Sequence, residues 1–311
     1  IIDGDSSGIV LTLNNSSSNS HVENVTIQNG SGGVGTSNGA GIYCDGCTAT
    51  LKNLLVKDNV QDQSGDGSGI FSLGGSLTID NIIVSDNEGA YGTVGLINSN
   101  ATIDNSNIIN NTVSNNGGGL YVNSSDVSLR NSSVTNNSAG VGGGVFANGS
   151  DLDIINSIIK QNLSSDVAGG IGADGGSTLY LLETLIHGNV STSTGSGVSL
   201  TSSTASIHNS TIVNNYMTEL DAFGGGSLFN LFGNSNIAFY QSALSNTQPK
   251  MFRFEKINDS DELNASFFYS NVVGGQDSVA TSEKITEIGI NFEWNSSWGF
   301  DPEFVDSSLE N

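Results

Sequence analysis

The sequence predicts an all-β fold, a parallel β-helix of about nine to eleven coils, and three observations predict it. A unit of about 26 residues recurs along the 311-residue chain, and self-similarity at such a period is typical of a solenoid. Within each unit, β-branched residues and Thr alternate with polar residues at period two, which indicates strands. Gly, Ser and Asn fill the intervals between these runs, which disfavours helices.

A column of Asn residues defines the register of the repeat. Its members are separated by 24 to 32 residues: Asn24, Asn53, Asn81, Asn105, Asn131, Asn156, Glu183, Asn209 and Gln241. An aliphatic residue follows each member by three positions, from Ile27 to Leu244, and a second Asn column follows by six, from Asn59 to Asn215. Fixed spacing within a unit and variable spacing between units are expected when loops differ in length but stacked strands must pair in register.

The Asn side chains are expected to turn inward at the corners of the coils. A buried polar group is costly unless it is paired, and an amide carries both donors and an acceptor. Identical amides stacked coil upon coil can bond one another and the turn backbone. We therefore predict a structural ladder through Asn24, Asn53, Asn81, Asn105, Asn131, Asn156 and Asn209.

A column of glycines precedes the next apolar run. Its members are Gly41, Gly69, Gly95, Gly119, Gly144, Gly170, Gly197 and Gly226. Glycine is required where φ is positive or where one backbone passes closely under another. The column therefore predicts a further corner, or a point of close approach between coils.

Residues 1–247 are predicted to form the coils, and residues 248–311 degraded coils followed by a C-terminal capping segment. The end of a solenoid exposes unpaired strands and an open core. An aromatic-rich group could cover that end: Phe292, Trp294, Trp298, Phe300 and Phe304. Sugar stacking on Trp294 or Trp298 is the alternative.

The formal charge of −23, from 31 acidic and 8 basic residues, limits the partners. Nucleic acid, anionic lipid and polyanionic glycans should be repelled, because no basic stripe is present. No apolar run is long enough to span a bilayer, so direct membrane insertion is not expected. Cations, carbohydrate and protein surfaces remain as partners.

Cys44 and Cys47 form a CDGC turn. A zinc site would need a second such pair or nearby His, and a redox motif would be expected at the start of a helix. A local disulfide is the preferred interpretation, and it agrees with a secreted or cell-surface location. Because the chain opens within the repeat pattern, we expect it to be a piece of a larger exported protein.

Two acidic segments are candidate Ca²⁺ sites, although we expect the protein to require no cofactor. Asp3, Asp5 and Ser7 before Gly8 imitate the start of a calcium loop, but no Glu follows at the twelfth position. Asp62 and Asp66 lie in a later acidic loop. A simple strand-turn-strand and a solvated acidic loop are the alternatives.

An outward column beside the first Asn column carries the candidate catalytic residues. It contains Lys52, Asp80, Asp104 and Arg130 on adjacent coils, where alternating charge relieves the repulsion between stacked like charges. The functional alternative is that Asp80 and Asp104 bind Ca²⁺ while Arg130 or Lys52 removes a proton from a sugar. His187 and His208 fall at different offsets and are not expected to meet.

The repeat resembles two families. IINN, VTNN and IVNN, paired with GGGLY, GGGVF and GAGIY, are similar to the FxxN and GGA[ILV] repeats of polymorphic outer-membrane autotransporters. More broadly, the chain resembles pectate-lyase-like proteins, which implies a single-stranded right-handed β-helix. The IDGDSSGIVLTL opening and the DPEFVD segment resemble those of secreted bacterial β-helix proteins. Such families include lyases, glycosidases, adhesins and passengers, so the fold does not choose a function.

Few of the catalytic residues that the resemblance implies have a counterpart in this chain. Pectate-lyase-like enzymes imply acidic calcium ligands with an Arg or Lys base, for which this chain offers Asp80, Asp104 and Arg130. Polygalacturonase-like enzymes imply paired Asp residues with GHG and RIK segments, and the sequence contains neither segment.

Three functions follow from these observations. The leading hypothesis is a non-enzymatic stalk or adhesin-like passenger that binds carbohydrate, protein or a surface. The alternative is a calcium-dependent polysaccharide lyase or a glycosidase on the solvent face of a sheet. Binding to ice or a mineral would require a regular Thr face, and the mixed outward columns disfavour it.

Overall fold

The chain winds as a parallel β-helix whose coils stack on one another. The computed structural model describes residues 1–15, 20–32, 38–61, 65–219, 228–245, 251–255, 261–272 and 291–295. All regular secondary structure in these residues is β-strand, arranged in sheets whose neighbouring strands come from successive coils. Within the same residues, no helix is long and apolar enough to cross a membrane. The predicted all-β parallel solenoid is confirmed.

One coil consists of three main strands and a short fourth strand. In a central coil, Val94–Ile97 belongs to sheet 1, Asn100–Asp104 to sheet 2, Asn107–Ile109 to sheet 3 and Thr112–Val113 to sheet 4. The chain then returns to sheet 1 one layer further on. Each strand pairs with its counterparts before and after, so equivalent residues of successive coils form columns along the axis.

The four sheets are built as follows. Sheet 1 contains β2 (Leu11–Asn14), β5 (Ile42–Asp45), β8 (Ile70–Leu73), β12 (Val94–Ile97), β16 (Leu120–Asn123), β20 (Val145–Asn148), β24 (Ile171–Asp174), β28 (Val198–Thr201), β32 (Phe229–Phe232) and β35 (Phe252–Glu255). Sheet 2 contains β3 (Ser20–Glu23), β6 (Thr48–Lys52), β9 (Ser76–Asp80), β13 (Asn100–Asp104), β17 (Asp126–Arg130), β21 (Asp151–Ile155), β25 (Thr178–Leu182), β29 (Thr204–His208), β33 (Asn236–Tyr240), β36 (Asn264–Phe268) and β38 (Asn291–Asn295).

The other two sheets have shorter strands. Sheet 3 contains β1 (Ile2–Asp3), β4 (Thr26–Gln28), β7 (Leu55–Lys57), β10 (Ile83–Ser85), β14 (Asn107–Ile109), β18 (Ser133–Thr135), β22 (Ile158–Lys160), β26 (Leu185–His187), β30 (Thr211–Val213), β34 (Ala243–Ser245) and β37 (Asn271–Val272). Sheet 4 contains β11 (Glu88–Gly89), β15 (Thr112–Val113), β19 (Ser138–Ala139), β23 (Leu163–Ser164), β27 (Val190–Ser191) and β31 (Tyr216–Met217).

The core is a column of aliphatic side chains enclosed by the sheets. The aliphatic residues predicted three positions after the first Asn column point inward from sheet 3, and Ile108, Val134 and Ile159 are at most 1% exposed. They pack with alternate residues of sheets 1 and 2, such as Leu120 and Leu129. Period-two alternation therefore placed the core correctly.

The first Asn column lies outside the core, contrary to the prediction that its side chains turn inward. Asn53, Asn105 and Asn131 are exposed and have φ near +50°, a left-handed conformation that Asn tolerates better than most residues. Their amides still bond along the axis: Asn81 donates to Asn53 at 2.8 Å, and Asn156 donates to Asn131 at 2.7 Å. The prediction of inward side chains was wrong because a left-handed corner directs its residue to solvent.

The second Asn column forms the buried ladder. Its members are at most 1% exposed: Asn59, Asn87, Asn111, Asn137, Asn162, Asn189 and Asn215. Asn137 Nδ2 donates to Asn162 Oδ1 at 3.1 Å and to the Ile108 carbonyl of the preceding coil at 3.0 Å. Its Oδ1 accepts from the Asn111 backbone N–H and amide at 3.0 and 2.9 Å. The amide is therefore fully paired inside the core.

Two Ser columns, which the sequence analysis missed, occupy the corners on either side of sheet 2. Ser125 N–H donates to Ser150 Oγ at 3.1 Å between sheets 1 and 2, and Ser132 N–H donates to Ser157 Oγ at 3.1 Å between sheets 2 and 3. These residues are at most 7% exposed. The signal was present, because Ser or Thr directly follows the first Asn column from Asn105 to Gln241.

Cys44 and Cys47 close an early corner of the same kind. They form a disulfide, both residues are fully buried, and Ser72 Oγ lies 3.5 Å from Cys44 Sγ. Cys47 occupies the corner position that Ser fills in later coils. Its carbonyl accepts from the N–H of Ser76, the residue that begins β9 of sheet 2 in the next coil.

The glycine column marks close approach between coils. A Cβ on Gly144 would lie 2.7 Å from the Gly170 carbonyl oxygen and 2.9 Å from Asn162 Nδ2. Two members were misassigned. Val94 pairs with Ile70, so Thr93 and not Gly95 occupies the column, and Leu228 rather than Gly226 precedes the paired Phe229. Coils of different length obscured this register in the sequence.

The C-terminal coils have an aromatic core. Phe229, Phe239, Phe252 and Phe267 are at most 2% exposed, and their rings pack in stacked and edge-to-face pairs with centroids 4.7 to 5.9 Å apart. Regular strands continue beyond residue 247 in β35 to β38, and Phe292 and Trp294 lie in β38. Trp298, Phe300 and Phe304, which were predicted to cap the end, lie outside the described residues.

Replacing Asn137 with Ala should destabilise the fold by about 2 to 4 kcal/mol, because it leaves several buried backbone and amide groups unpaired. Urea unfolding followed by circular dichroism would measure the change. Asn136→Gly is the matched control, since Asn136 is exposed with φ +55° and glycine adopts that conformation freely. Equal stability of the two variants would contradict the ladder's role.

Gly144→Val should destabilise a coil by at least about 2 kcal/mol, because the new side chain meets the backbone of the next coil. The control is Gly74→Asn, since Gly74 has φ +66° and nothing lies within 4 Å of its Cβ position. Thermal unfolding of both variants would compare their melting temperatures with that of the parent protein. An unchanged melting temperature for Gly144→Val would show that the coils do not approach as described.

Candidate functional site

The strands of sheet 2 are the longest that the structure describes, because all of them except β3 have five residues. Its five-residue strands direct their first, third and fifth side chains outward, and the second and fourth enter the core. By contrast, the outward side chains of sheet 1 are covered. Phe71 is fully buried, and Tyr121 and Phe146 are each 8% exposed. Sheet 2 therefore leaves more of its outward side chains accessible to a partner than sheet 1 does.

The candidate catalytic residues occupy the fifth position of adjacent strands. Lys52 Nζ lies 2.9 Å from Asp80 Oδ2, and Asp80 Oδ1 accepts from Asn105 Nδ2 at 3.1 Å. Hydrogen bonds from Lys52 and then Asn105 hold the pKa of Asp80 below its usual value. The predicted pairing of opposite charges is thus present between the first two members of the column.

Asp104 and Arg130 are also held by neighbours. Asp104 Oδ1 accepts from Asn131 Nδ2 at 2.7 Å, and Arg130 Nε donates to Ser128 Oγ at 2.7 Å. The side-chain amides of Asn105 and Asn131 thus hydrogen-bond to the carboxylates of the preceding coil. Both carboxylates serve as acceptors in the outer ladder, whatever further role they have.

A second acidic group, which the sequence analysis did not single out, lies on the same face. Asp126 and Asp151 pair in register at the first position, and Asp153 lies at the third position opposite Ser128. Burial, and then the charges of Asp126 and Asp151, raise the pKa of Asp153, whereas Arg130 acts in the opposite direction. The signal in the sequence was Asp at alternate positions of one strand.

A shallow depression of about 290 Å³ adjoins this acidic group. Asp126 and Asp151 line it together with Asn100, Gly149 and Gly176. Its position at the corner between sheets 1 and 2 follows from the small residues there. The arrangement places two carboxylates at the rim of a polar, open surface.

An aromatic ridge occupies the fifth position of the later strands. It consists of His208, Tyr240 and Phe268, whose ring centroids are 4.4 and 4.7 Å apart and whose planes lie within 8° of parallel. Tyr180, at the third position of β25, meets His208 at 5.2 Å with a tilt of 45°. Burial lowers the pKa of His208, which favours the neutral form of its ring.

Small and polar side chains lie beside the ridge. The third positions of β29, β33 and β36 hold Ser206, Ala238 and Ser266, and their first positions hold Thr204, Asn236 and Asn264. A column of small residues therefore separates the aromatic ridge from a column of Thr and Asn side chains.

Of the proposed calcium ligands, Asp3 and Asp5 are neighbours, because Asp5 N–H donates to Asp3 Oδ1 at 3.0 Å. Asp3 accepts from Gln28 Nε2 at 2.7 Å and from Asn29 Nδ2 at 2.9 Å, and the Gln28 bond is the largest cause that lowers the pKa of Asp3. Asp5 is exposed in a left-handed turn. Asp66 is part-buried, and burial raises its pKa. Asp62 lies outside the described residues.

Metal binding at these positions stays a prediction. Among the residues that the structure describes, no group of three or more His, Cys, Asp or Glu side chains could hold a metal ion. His187 faces the Val213 carbonyl in sheet 3, whereas His208 stacks in sheet 2. The two histidines thus lie on different faces, as expected from their offsets.

Comparison with known families agrees with this architecture. Residues 68–244, more than half of the chain, match the family described as a right-handed beta helix region. The chain therefore belongs to that family, and the predicted right-handed parallel β-helix is confirmed. A search of curated proteins finds no significant match to the chain. The finer resemblance to autotransporter repeats stays a prediction.

Asp153→Asn should raise the melting temperature modestly at pH 7, because it removes a carboxylate whose charged form burial and neighbouring charges disfavour. The pKa of Asp153 is higher in the folded than in the unfolded chain, so its protonation stabilises the fold. The gain should therefore shrink as the pH falls through the folded-state pKa. Asp174→Asn, outside this acidic group, is the control, and a gain that is independent of pH would contradict the interpretation.

Proposed function

We propose that this chain is a non-enzymatic β-helical segment of a secreted or cell-surface protein, where it serves as a stalk or adhesin-like passenger. It binds carbohydrate, a protein or another surface. The observation that carries the proposal is the unbroken register of sheet 2 through eleven strands. At about 4.8 Å per coil, these strands make a rod about 50 Å long with one continuous solvent face.

The paired state of the internal polar groups supports a rigid rod. Buried Asn and Ser columns satisfy the corner backbone along the axis, as in the bond from Asn162 to Asn189 and that from Ser177 N–H to Ser203 Oγ. Each coil is thus joined to its neighbours by amides and hydroxyls as well as by strand pairing. Such a rod can hold a binding face away from its attachment point.

The state of Asp80 and Asp104 also favours a structural role for these carboxylates. Asp80 pairs with Lys52 and accepts from Asn105, and Asp104 accepts from Asn131. A general base or a calcium ligand must instead direct its lone pairs to substrate or metal. Hydrogen bonds from Asn105 and Asn131 already occupy some of the lone pairs of these two carboxylates.

Composition and the disulfide support the proposed location and partners. The Cys44–Cys47 bridge suits an oxidising, extracellular setting. The net charge of −23 favours neutral or cationic partners over nucleic acid and polyanionic glycans. Ca²⁺ remains a proposed partner of the acidic surface and not a requirement of the fold.

A polysaccharide lyase or glycosidase on sheet 2 is the second candidate. The favouring observation is Asp153, whose raised pKa is suited to a general acid, beside Asp126 and Asp151. Asp126 and Asp151 line the open depression. Arg130 lies on the same face and could act as the base of a lyase.

Incubation with neutral and acidic polysaccharides, with and without Ca²⁺, would test the proposal. We expect neither new reducing ends nor the ultraviolet absorbance of unsaturated products, and the same result for Asp153→Asn and Arg130→Ala. The leading proposal fails if turnover appears and either substitution abolishes it. Small-angle scattering of the parent protein would test the rod, and a compact sphere would contradict the stalk.

A further inference from the structure

We propose that Ser206 is an activated nucleophile, which takes an acyl group from a reactive ester while His208 takes its proton. Ser206 and His208 occupy the third and fifth positions of β29, on the solvent face of sheet 2. Ser206 Oγ lies 2.7 Å from His208 Nε2, a separation that allows proton transfer. This inference goes beyond the proposed stalk function, because it adds a site of covalent modification.

Neighbouring rings hold His208 in place. The Tyr240 ring, from the following coil, stacks on the His208 ring at 4.4 Å and 8° from parallel. The Tyr180 ring, from the preceding coil, meets it at 5.2 Å with a tilt of 45°. Because aromatic rings pack against the imidazole from both adjacent strands, its orientation toward Ser206 is restrained.

The surroundings favour a form of His208 that can accept a proton. Burial lowers the pKa of His208, which favours the neutral ring. A neutral imidazole has one accepting nitrogen, and when Nδ1 carries the proton, Nε2 accepts the hydrogen bond from Ser206. The outward residues of β29 and β33 include no carboxylate, so no anion on these two strands stabilises the cationic ring.

The same position of two other sheet 2 strands also holds serine, with a different neighbour in each. Ser128 and Ser266 occupy the third positions of β17 and β36. Ser128 Oγ accepts from Arg130 Nε at 2.7 Å, and a guanidinium cannot accept a proton. Ser266 shares its strand with Phe268, whose ring has no nitrogen or oxygen. Of these three serines, Ser206 alone lies beside a base.

The position of Ser206 leaves room for an acyl group. Ser206 and His208 are both partly exposed. Ala238 lies opposite Ser206 in the following coil, and its side chain ends at Cβ. A small acyl group on Ser206 Oγ therefore has space above Ala238, beside the aromatic ridge.

The reaction transfers an acyl group to the protein. Ser206 Oγ bonds to the acyl carbon, the bond from that carbon to the leaving oxygen or sulfur breaks, and the Ser206 proton passes through His208 Nε2 to the leaving group. The backbone groups of β29 are paired with β25 and β33, so they cannot stabilise an oxyanion. The acyl donor must therefore be reactive by itself, as a phenyl ester or a thioester is.

Incubation of the full chain with p-nitrophenyl acetate tests the inference. Absorbance follows the release of p-nitrophenolate, and peptide mass mapping identifies the acetylated residues. We expect Ser206 to be acetylated at least about tenfold faster than Ser128 or Ser266, because a positioned general base contributes more than that. Equal reactivity of the three serines, or an unmodified Ser206, would overturn the proposal.

A substitution of His208 tests the role of the base. His208→Phe keeps an aromatic ring beside Tyr240 but gives Ser206 the same neighbour as Ser266, so acetylation should slow at least about tenfold. A rate equal to that of the parent protein would contradict the proposal. If His208→Phe does not fold, Phe268→His decides. Acetylation of Ser266 at the rate of Ser206 would then support the proposal, and an unreactive Ser266 would overturn it.

The outcomes are distinct from those of the proposed function. Acylation of Ser206 cleaves no glycosidic bond, so the polysaccharide assay gives the same result whether or not Ser206 reacts. Release of p-nitrophenolate could also continue beyond one equivalent per chain and be abolished by Ser206→Ala. That result would support the nucleophile and contradict the non-enzymatic function.

Discussion

The buried amide ladder is the interaction on which the rest of this structure depends. A narrow solenoid core cannot tolerate unpaired polar groups, yet each tight corner brings backbone N–H and C=O groups into it. At the corner after sheet 3, one amide per coil resolves the conflict, because Asn137 accepts from the coil before and donates to coils on both sides. Regular corners then keep the strands in register, and that register aligns the outward columns into a usable face.

The architecture could be predicted from the sequence because the same physical constraints recur in every coil. Inward aliphatic residues such as Val134 and Ile159 must alternate with polar residues, and Gly144 must lie where backbones touch. Each such requirement leaves a column in the sequence. Repetition made these columns visible, and the family match over residues 68–244 agrees with them.

Other features could not be derived in the same way. Asn131 and Asn137 are the same residue type in neighbouring columns, but one faces solvent and the other the core. Their difference arises from the left-handed φ at Asn131, which a list of residue types does not reveal. Thr93 was missed because its coil is shorter. The aromatic ridge was missed because His208, Tyr240 and Phe268 are far apart in the sequence, and only strand pairing brings their rings together.

The buried ladder also has a direction. From Asn59 to Asn189, each amide donates to the amide of the following coil, and Asn215 is the last acceptor. The amide dipoles therefore point the same way along the axis, and the two ends of the rod are chemically different. A molecule stacked head to head could not continue this chain of bonds. Any end-to-end assembly that extended the ladder would have to be polar, with every subunit facing the same way.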